Sequence, residues 1–259
     1  MNLVVCVKQV PEIALVRVGD SGQVMLPEAP GAMNPFDEYA VEEALRLKEK
    51  HGGTVTAVTC GEESAVSPLR DALALGADRA VLLTDPAFVG SDGLAIARIL
   101  AAAIGKIGSV DLCLMGKNAV DTDRSVVPGA TAGFLGWAQA LFVKKIESFE
   151  GSRATVLRMT EDGFDRVAFS LPAVISVVKE INEPRLPSLK GKLRAKSAPI
   201  ERWSATDLGV DPATVGANSA THVRTVHAPP ARQGCERLEG EPPAVALALF
   251  EKLRAAKVI

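Results

Sequence analysis

Apolar residues in the first half of the chain fall in short unbroken runs, separated by segments of helical period. Leu3–Val7, Thr54–Cys60, Ala80–Leu83 and Val110–Met115 read as strands covered on both faces. Between the first two, Ala40, Val41, Ala44 and Leu45 follow the 3.6-residue repeat behind a capping Asp37. Glu42 and Arg46 pair four apart, and Gly52-Gly53 stops the helix. A second helix opens near Pro68 and stops at Gly76, and a third spans Asp92–Ile107. Strands alternating with helices of this length predict βαβ units and a parallel sheet. The fold expected is α/β: a Rossmann-like parallel sheet flanked by helices. Pro11 to Ala32, rich in Gly and Pro, reads as a long excursion with room for a short hairpin.

The pattern changes near Leu141. Ala132–Ala140 reads as helix, and Phe142–Phe149, Ala154–Met159 and Val167–Leu171 as short strands split by turn residues, an antiparallel hairpin addition. Ala173–Val178 is a further apolar run fit to rejoin the main sheet. Past Asn182 no strong period survives, prolines recur from Pro184 to Pro243, and only Ala244–Lys257 reads as helix. The expected division is an α/β nucleotide-binding domain over 1–181, hairpins at about 141–171, and an extended C-terminal arm over 182–259. An arm of this length is expected on a partner rather than free in solvent.

Composition narrows the function. The chain is 47% hydrophobic and 23% charged, with 29 basic and 31 acidic residues and a net charge of −2. That balance gives no pull towards nucleic acid or an anionic membrane. No apolar run is long enough to span a bilayer, and the N-terminus begins on a strand, so a cytoplasmic, non-spanning protein is expected. The four cysteines show no CxxC pairing and read as buried thiols; the three histidines show no ligand spacing, so no metal is expected.

In open parallel sheets, ligands bind beyond the carboxyl ends of the strands. Val7–Gln9, Cys60-Gly61 and Gly116–Pro128 leave those ends. The last segment holds Asn118, Asp121, Asp123, Arg124 and Ser125 and leads through Gly129 and Thr131 towards a helix. A helix start beside a hydroxyl and an Arg suits a phosphate, and Asp121 suits a ribose hydroxyl. A polar turn with a capped helix accounts for the same residues equally well. Asn34-Pro35-Phe36-Asp37, ahead of the first helix, reads as a capping turn or a second ligand segment. Walker, GxGxxG and GxSxG motifs are missing, which points to a ligand-holding protein rather than a catalyst.

At this point the residues resemble a known family. Met33–Lys48 (MNPFDEYAVEEALRLK) closely resembles the signature segment of the electron transfer flavoprotein β subunit. ALALGADR over Ala72–Arg79, the Gly116–Asp123 segment, TAGFL-W over Thr131–Trp137 and INEPR over Ile181–Arg185 follow in the family's order. The resemblance runs from Met1 to about Asp211.

The resemblance implies a heterodimer in which an α subunit holds most of a redox-active FAD while the β subunit buries a second nucleotide, AMP in the common branch. Electrons would arrive from acyl-CoA-type dehydrogenases and leave through a membrane quinone oxidoreductase, with no catalytic residue on this chain. Nucleotide contacts would fall on Cys6, Asn34, Pro35, Phe36, Asp37, Cys60, and Asp121, Thr122, Asp123, Arg124, Ser125, Val126, Val127, Pro128, Gly129, Ala130, Thr131 and Ala132. Phe36 would also lie near the partner's flavin. The dehydrogenase-recognition loop matches Arg185 to Arg194, with Leu189 as apolar anchor beside Arg185 and Lys190. Many AMP-binding members carry Asn-Gln where this chain has Ser125-Val126. Electron-bifurcating members, with a second FAD in place of AMP, typically read DGDTAQVGP where this chain reads DTDRSVVPG. The AMP branch is the leading expectation and the bifurcating branch the alternative. A stand-alone adenine-nucleotide-binding enzyme is a third reading, against which stand the long arm and the lack of an SGGxDS-like loop.

Overall fold

The first apolar run folds as β1 (Asn2–Cys6), and the periodic segment after it as α1 (Pro35–His51), with Asn34 in the N-cap position and Asp37 in the first turn. There follow β2 (Thr54–Cys60), α2 (Val66–Leu75), β3 (Arg79–Leu83), α3 (Gly93–Ile107), β4 (Leu112–Gly116) and α4 (Val126–Leu135). Then come β5 (Ala138–Glu150), β6 (Arg153–Met159), β7 (Phe164–Ser170), β8 (Ala173–Val177), α5 (Leu189–Ser197), β9 (Glu201–Trp203), α6 (Ala205–Leu208) and α7 (Pro242–Ala255). This computed structural model describes residues 1–19, 23–26, 31–227, 229 and 234–259.

Among the described residues, the strands form a nine-stranded sheet in the order β7-β6-β5-β8-β4-β1-β2-β3-β9. Every pairing from β5 to β9 is parallel; β5-β6 and β6-β7 are antiparallel. The fold is the expected Rossmann-like sheet with a hairpin addition. Side chains alternate across it. Leu3, Val5, Val55, Ala57 and Leu114 meet Val41, Leu45, Leu69 and Leu73 of α1 and α2 on one face. Val4, Val58, Cys113 and Val174 meet Ile99, Ile104 and Ala132 of α3 and α4 on the other. This period of two within strands covered on both faces is why the runs read as continuous apolar stretches.

Three local expectations change. The helix expected over Ala132–Ala140 begins at Val126 and ends at Leu135, where Gly136 takes the left-handed conformation, and Ala138–Ala140 is already strand. Pro128 is tolerated because it lies in the first helical turn, where its missing N–H has no partner to lose. In β5, pairing passes from β8 to β6 at Val143, beside Phe142 at φ 61°, a bulged corner that joins the parallel sheet to the hairpins. Beyond Asn182 the chain is more regular than its periodicity implies. β9 adds to the free edge of β3, and α5 packs on α2. The Pro11–Ala32 excursion holds two-residue ladders, Gln9–Val10 with Ala32–Met33 and Arg17–Val18 with Val24–Met25; residues 20–22 and 27–30 lie outside the described residues.

The chain divides into two compact units, Met1–Val226 and His227–Ile259. The second carries α7, in which no residue is buried; Leu247, Leu249 and Phe250 are exposed.

Candidate functional site

The chain runs from β1 outward to β2 and β3, then returns to lay β4 on the other side of β1. That reversal is the sheet's topological switch point, where the loops leaving neighbouring strands diverge and open a crevice. A cleft of about 120 Å³ lies there. Its floor is Cys6 and Val7 from β1, Cys60 from β2, and Met115 and Gly116 from β4. Ile96 and Leu100 of α3 with Val127 and Pro128 of α4 form an apolar wall, and Lys8, Asn34, Asp37, Asn118, Ala119 and Arg124 complete the lining.

Asn34 and Asp37, both buried, hold these segments together. The Asn34 N–H donates to the Lys8 carbonyl at 2.9 Å. Its side-chain Nδ2 donates to the Asn118 carbonyl at 2.9 Å, and its Oδ1 accepts the Val120 N–H at 3.1 Å. Asp37 accepts the Lys8 N–H on Oδ2 at 2.7 Å and the Gly116 N–H on Oδ1 at 3.1 Å. Burial pushes the Asp37 carboxyl up to about 7, against the pull of the Asn34 amide, the two backbone N–H groups and the Lys8 charge. Gly116 is required at this spot, because a Cβ there would sit 2.4 Å from Asp37 Oδ1 and 2.8 Å from the Phe36 carbonyl carbon. Lys8 Nζ meets both carboxylate oxygens of Asp121 at 2.7 Å, bridging the exit of β1 to the loop after β4.

The sequence-derived residues divide accordingly. Cys6, Asn34, Asp37, Cys60, Arg124, Val127 and Pro128 line the cleft. Asp121 is engaged by Lys8, Asp123 bonds the Asn118 amide, and Phe36 lies under Lys117 Nζ at 4.7 Å from the ring centre. Pro35, Thr122 and Val126 are exposed and outside the lining, as are the partly covered Ser125, Gly129 and Ala130. Thr131 and Ala132 are fully buried on the inner face of α4, and the Thr131 hydroxyl donates to the Val127 carbonyl at 2.8 Å. Lys8 and Asn118 also line the cleft and fall in the strand-end segments read from the sequence, though not among the nucleotide contacts that the resemblance implies; Ile96 and Leu100 were not expected. Lys8 lies two places past the end of β1, where the strand-end argument looks for a ligand contact; the α3 pair reaches the cleft only through helix packing.

The lining combines an apolar wall with polar and charged groups. The apolar wall suits a flat, uncharged ring. The Ser125 side chain makes no capping bond to the start of α4, so those N–H groups remain available to an anion beside Arg124. Burial pushes the Cys60 thiol up to about 12, and Cys6, 3.8 Å from Cys113 Sγ, is raised by that contact and by burial, so both are neutral floor residues. Among the described residues, no cluster of three or more His, Cys, Asp or Glu side chains is arranged to hold a metal ion, and no helix is long and apolar enough to cross a membrane.

Further along, Arg185 clasps α1 through Glu42 at 2.7 Å and Glu49 at 2.5 Å. Burial raises the Glu42 carboxyl, but bonds from Arg185 and Arg46 outweigh it and hold the group below its ordinary range. Leu189, the first residue of α5, is 75% exposed, with Leu186 and Leu193 exposed on either side of it in sequence. The segment matched to a loop is therefore helical from Leu189 onward, capped by Ser188, whose hydroxyl accepts the Gly191 N–H at 3.0 Å.

The electron transfer flavoprotein domain matches residues 23–208. The chain is 38% identical over 263 residues to the caffeyl-CoA reductase-Etf complex subunit CarD of Acetobacterium woodii, covering 100% of both chains. It is 42% identical over 241 residues to protein FixA of Azorhizobium caulinodans, covering 90% of this chain and 86% of that one. It is also 39% identical over 217 residues to the electron transfer flavoprotein subunit beta of Clostridium acetobutylicum, covering 83% of each. The chain belongs to the electron transfer flavoprotein β-subunit family.

Proposed function

We propose that this chain is the β subunit of a heterodimeric electron carrier, buries AMP in the switch-point cleft, and presents α5 to its redox partners. The observation that carries this reading is the cleft itself. An apolar wall, an uncapped helix start and Arg124 converge where the sheet order reverses. AMP is bound as a brace between β1, β4 and α4. It does no chemistry there, and the redox-active FAD belongs mainly to the α subunit. Lys8, bridged to Asp121, stands over the opening, while Arg124 and the N–H groups of α4 take the phosphate. Phe36, beside Lys117, faces the partner's flavin.

The docking surface follows from Leu189. An exposed leucine with Lys190 beside it, on a helix whose approach is fixed by Arg185, offers an apolar plug inside steering charge. Its partners are acyl-CoA-type dehydrogenases, a reading supported by the caffeyl-CoA reductase named for one relative, with a membrane quinone oxidoreductase as acceptor.

A second reading places FAD in this subunit, as in the bifurcating branch. A cleft of about 530 Å³ along the ends of β2 and β3 shares Cys60 and Ile96 with the first, which gives room for a dinucleotide. Mass spectrometry of nucleotides released by denaturing the purified heterodimer separates the two. One FAD and one AMP per heterodimer is the expected result. Two FAD would replace the AMP reading, and no adenine nucleotide beyond the partner's FAD would remove both.

A further inference from the structure

Asp37 sits on no free surface and uses both carboxylate oxygens on backbone. One accepts the N–H of Lys8, the residue two places past the end of β1; the other accepts the N–H of Gly116, the last residue of β4. Those two strands are the pair between which the switch-point cleft opens. The glycine it faces leaves no room for a Cβ, so the contact is built into the packing.

We propose that Asp37 is a positioning residue for the nucleotide: by tying the ends of β1 and β4 through the Lys8 and Gly116 backbones, its ionised side chain sets how slowly nucleotide leaves the cleft. The inference rests on the nucleotide reading above. A carboxylate accepts two N–H bonds at once, one on each oxygen. A carboxylic acid carries a proton on one oxygen, which is then a poor acceptor, so protonation releases one of the two ties. An asparagine at the same place has one acceptor oxygen and one donor amide, and holds the protonated pattern at every pH.

The charged and titratable surroundings agree with a group that changes state near neutrality. From β1 and its exit, Cys6 is a neutral thiol and Lys8 supplies the nearest positive charge. Lys8 is shared with Asp121 from the loop after β4. From α1, Asn34 contributes its amide, and from β4 only the Gly116 N–H reaches the group. Burial raises the carboxyl to about 7, so both states are populated in the ordinary range.

The test measures nucleotide loss from the purified heterodimer by timed gel filtration between pH 5.5 and 8.5, roughly one and a half units either side of the expected midpoint. In the wild type, loss is expected to quicken about tenfold as pH falls through the midpoint, the scale of one charge-assisted hydrogen bond. Asp37→Asn is expected to lose nucleotide at the fast rate with a flat profile, which also separates the effect from titration of a nucleotide phosphate. Lys8→Met, which keeps the backbone tie but removes the charge facing Asp37, is expected to move the wild-type midpoint to higher pH. It therefore serves even where Asp37→Asn fails to fold. A wild-type profile that is flat, a midpoint unmoved in Lys8→Met, or an Asp37→Asn protein with the wild-type profile would overturn the inference while leaving the nucleotide reading intact. A wild-type heterodimer holding no nucleotide in this chain removes both.

Discussion

A residue's position in sequence and its job in the site separate most clearly at Gly116. In the sequence it is the glycine that lets a backbone approach a ligand; in the structure, what approaches it is Asp37 and the start of α1. Gly116→Ala is expected to cost about 1–3 kcal/mol, the range for forcing a methyl into a packed site, and to loosen nucleotide binding with it. Urea unfolding of the purified complex reads the first effect and its nucleotide content the second. Unchanged stability would mean that Asp37 moves aside freely. The strand-end rule found the Val7–Gln9 exit of β1, Cys60 and the loop after β4 because those positions follow from where the runs stop. It could not find Ile96 and Leu100, whose apolar period marks only a buried helix face; which part of that face overhangs the cleft is decided by how α3 packs against α4. Nor could it tell that Asn34 and Asp37 spend their hydrogen bonds on backbone, since polar residues before a helix read alike as cap or ligand.

At the scale of elements, the strands up to β8 were legible to within a few residues, and α4 and the edge strand β9 were not. A run containing Gly129 and Gly133 with Pro128 looks like a loop entering a helix late, yet proline in the first turn costs nothing and packing against α3 outweighs the glycines. The segment after Asn182 was harder still, because its order comes from edges and caps that carry no period. Asp92 is the clearest case. It caps α3 by accepting the Leu94 and Ala95 N–H groups at 3.1 and 2.9 Å, and its other oxygen accepts the N–H and hydroxyl of Thr221, both at 2.9 Å. One side chain thus stops the arm and starts a helix. Burial raises its carboxyl, but these bonds outweigh it and leave the group below its usual range. A lowered folded pKa means stability that is present above the ordinary carboxylate range and lost as pH falls through the lowered value. Asp92→Ala is expected to cost about 2 kcal/mol at neutral pH, the upper end for a lost cap, and to expose residues 204–226 to proteolysis. The difference from wild type should shrink in acid, and a constant difference from pH 7 down to pH 2 would show that the ionised cap is not what holds the segment.

For the whole molecule, the two compact units make different demands on the sequence. Met1–Val226 contains the sheet, both core layers and the cleft, and β9 closes the β3 edge within it. His227–Ile259 holds α7, whose Val245, Leu249 and Leu253 recur at helical spacing although no residue of the helix is buried. A helix with an apolar stripe and no buried residue gains little by folding alone. We propose that the α subunit covers it. A chain ending at Val226 is therefore expected to keep its own fold, with unfolding free energy within about 0.5 kcal/mol of the full chain, as for a change away from any packed feature. Its association with the α subunit, followed by co-purification and by sedimentation, is expected to weaken sharply. Joint loss of fold and association would make the arm part of the chain's own core. An unweakened heterodimer would move the interface to the first unit, leaving the stripe of α7 to some other partner.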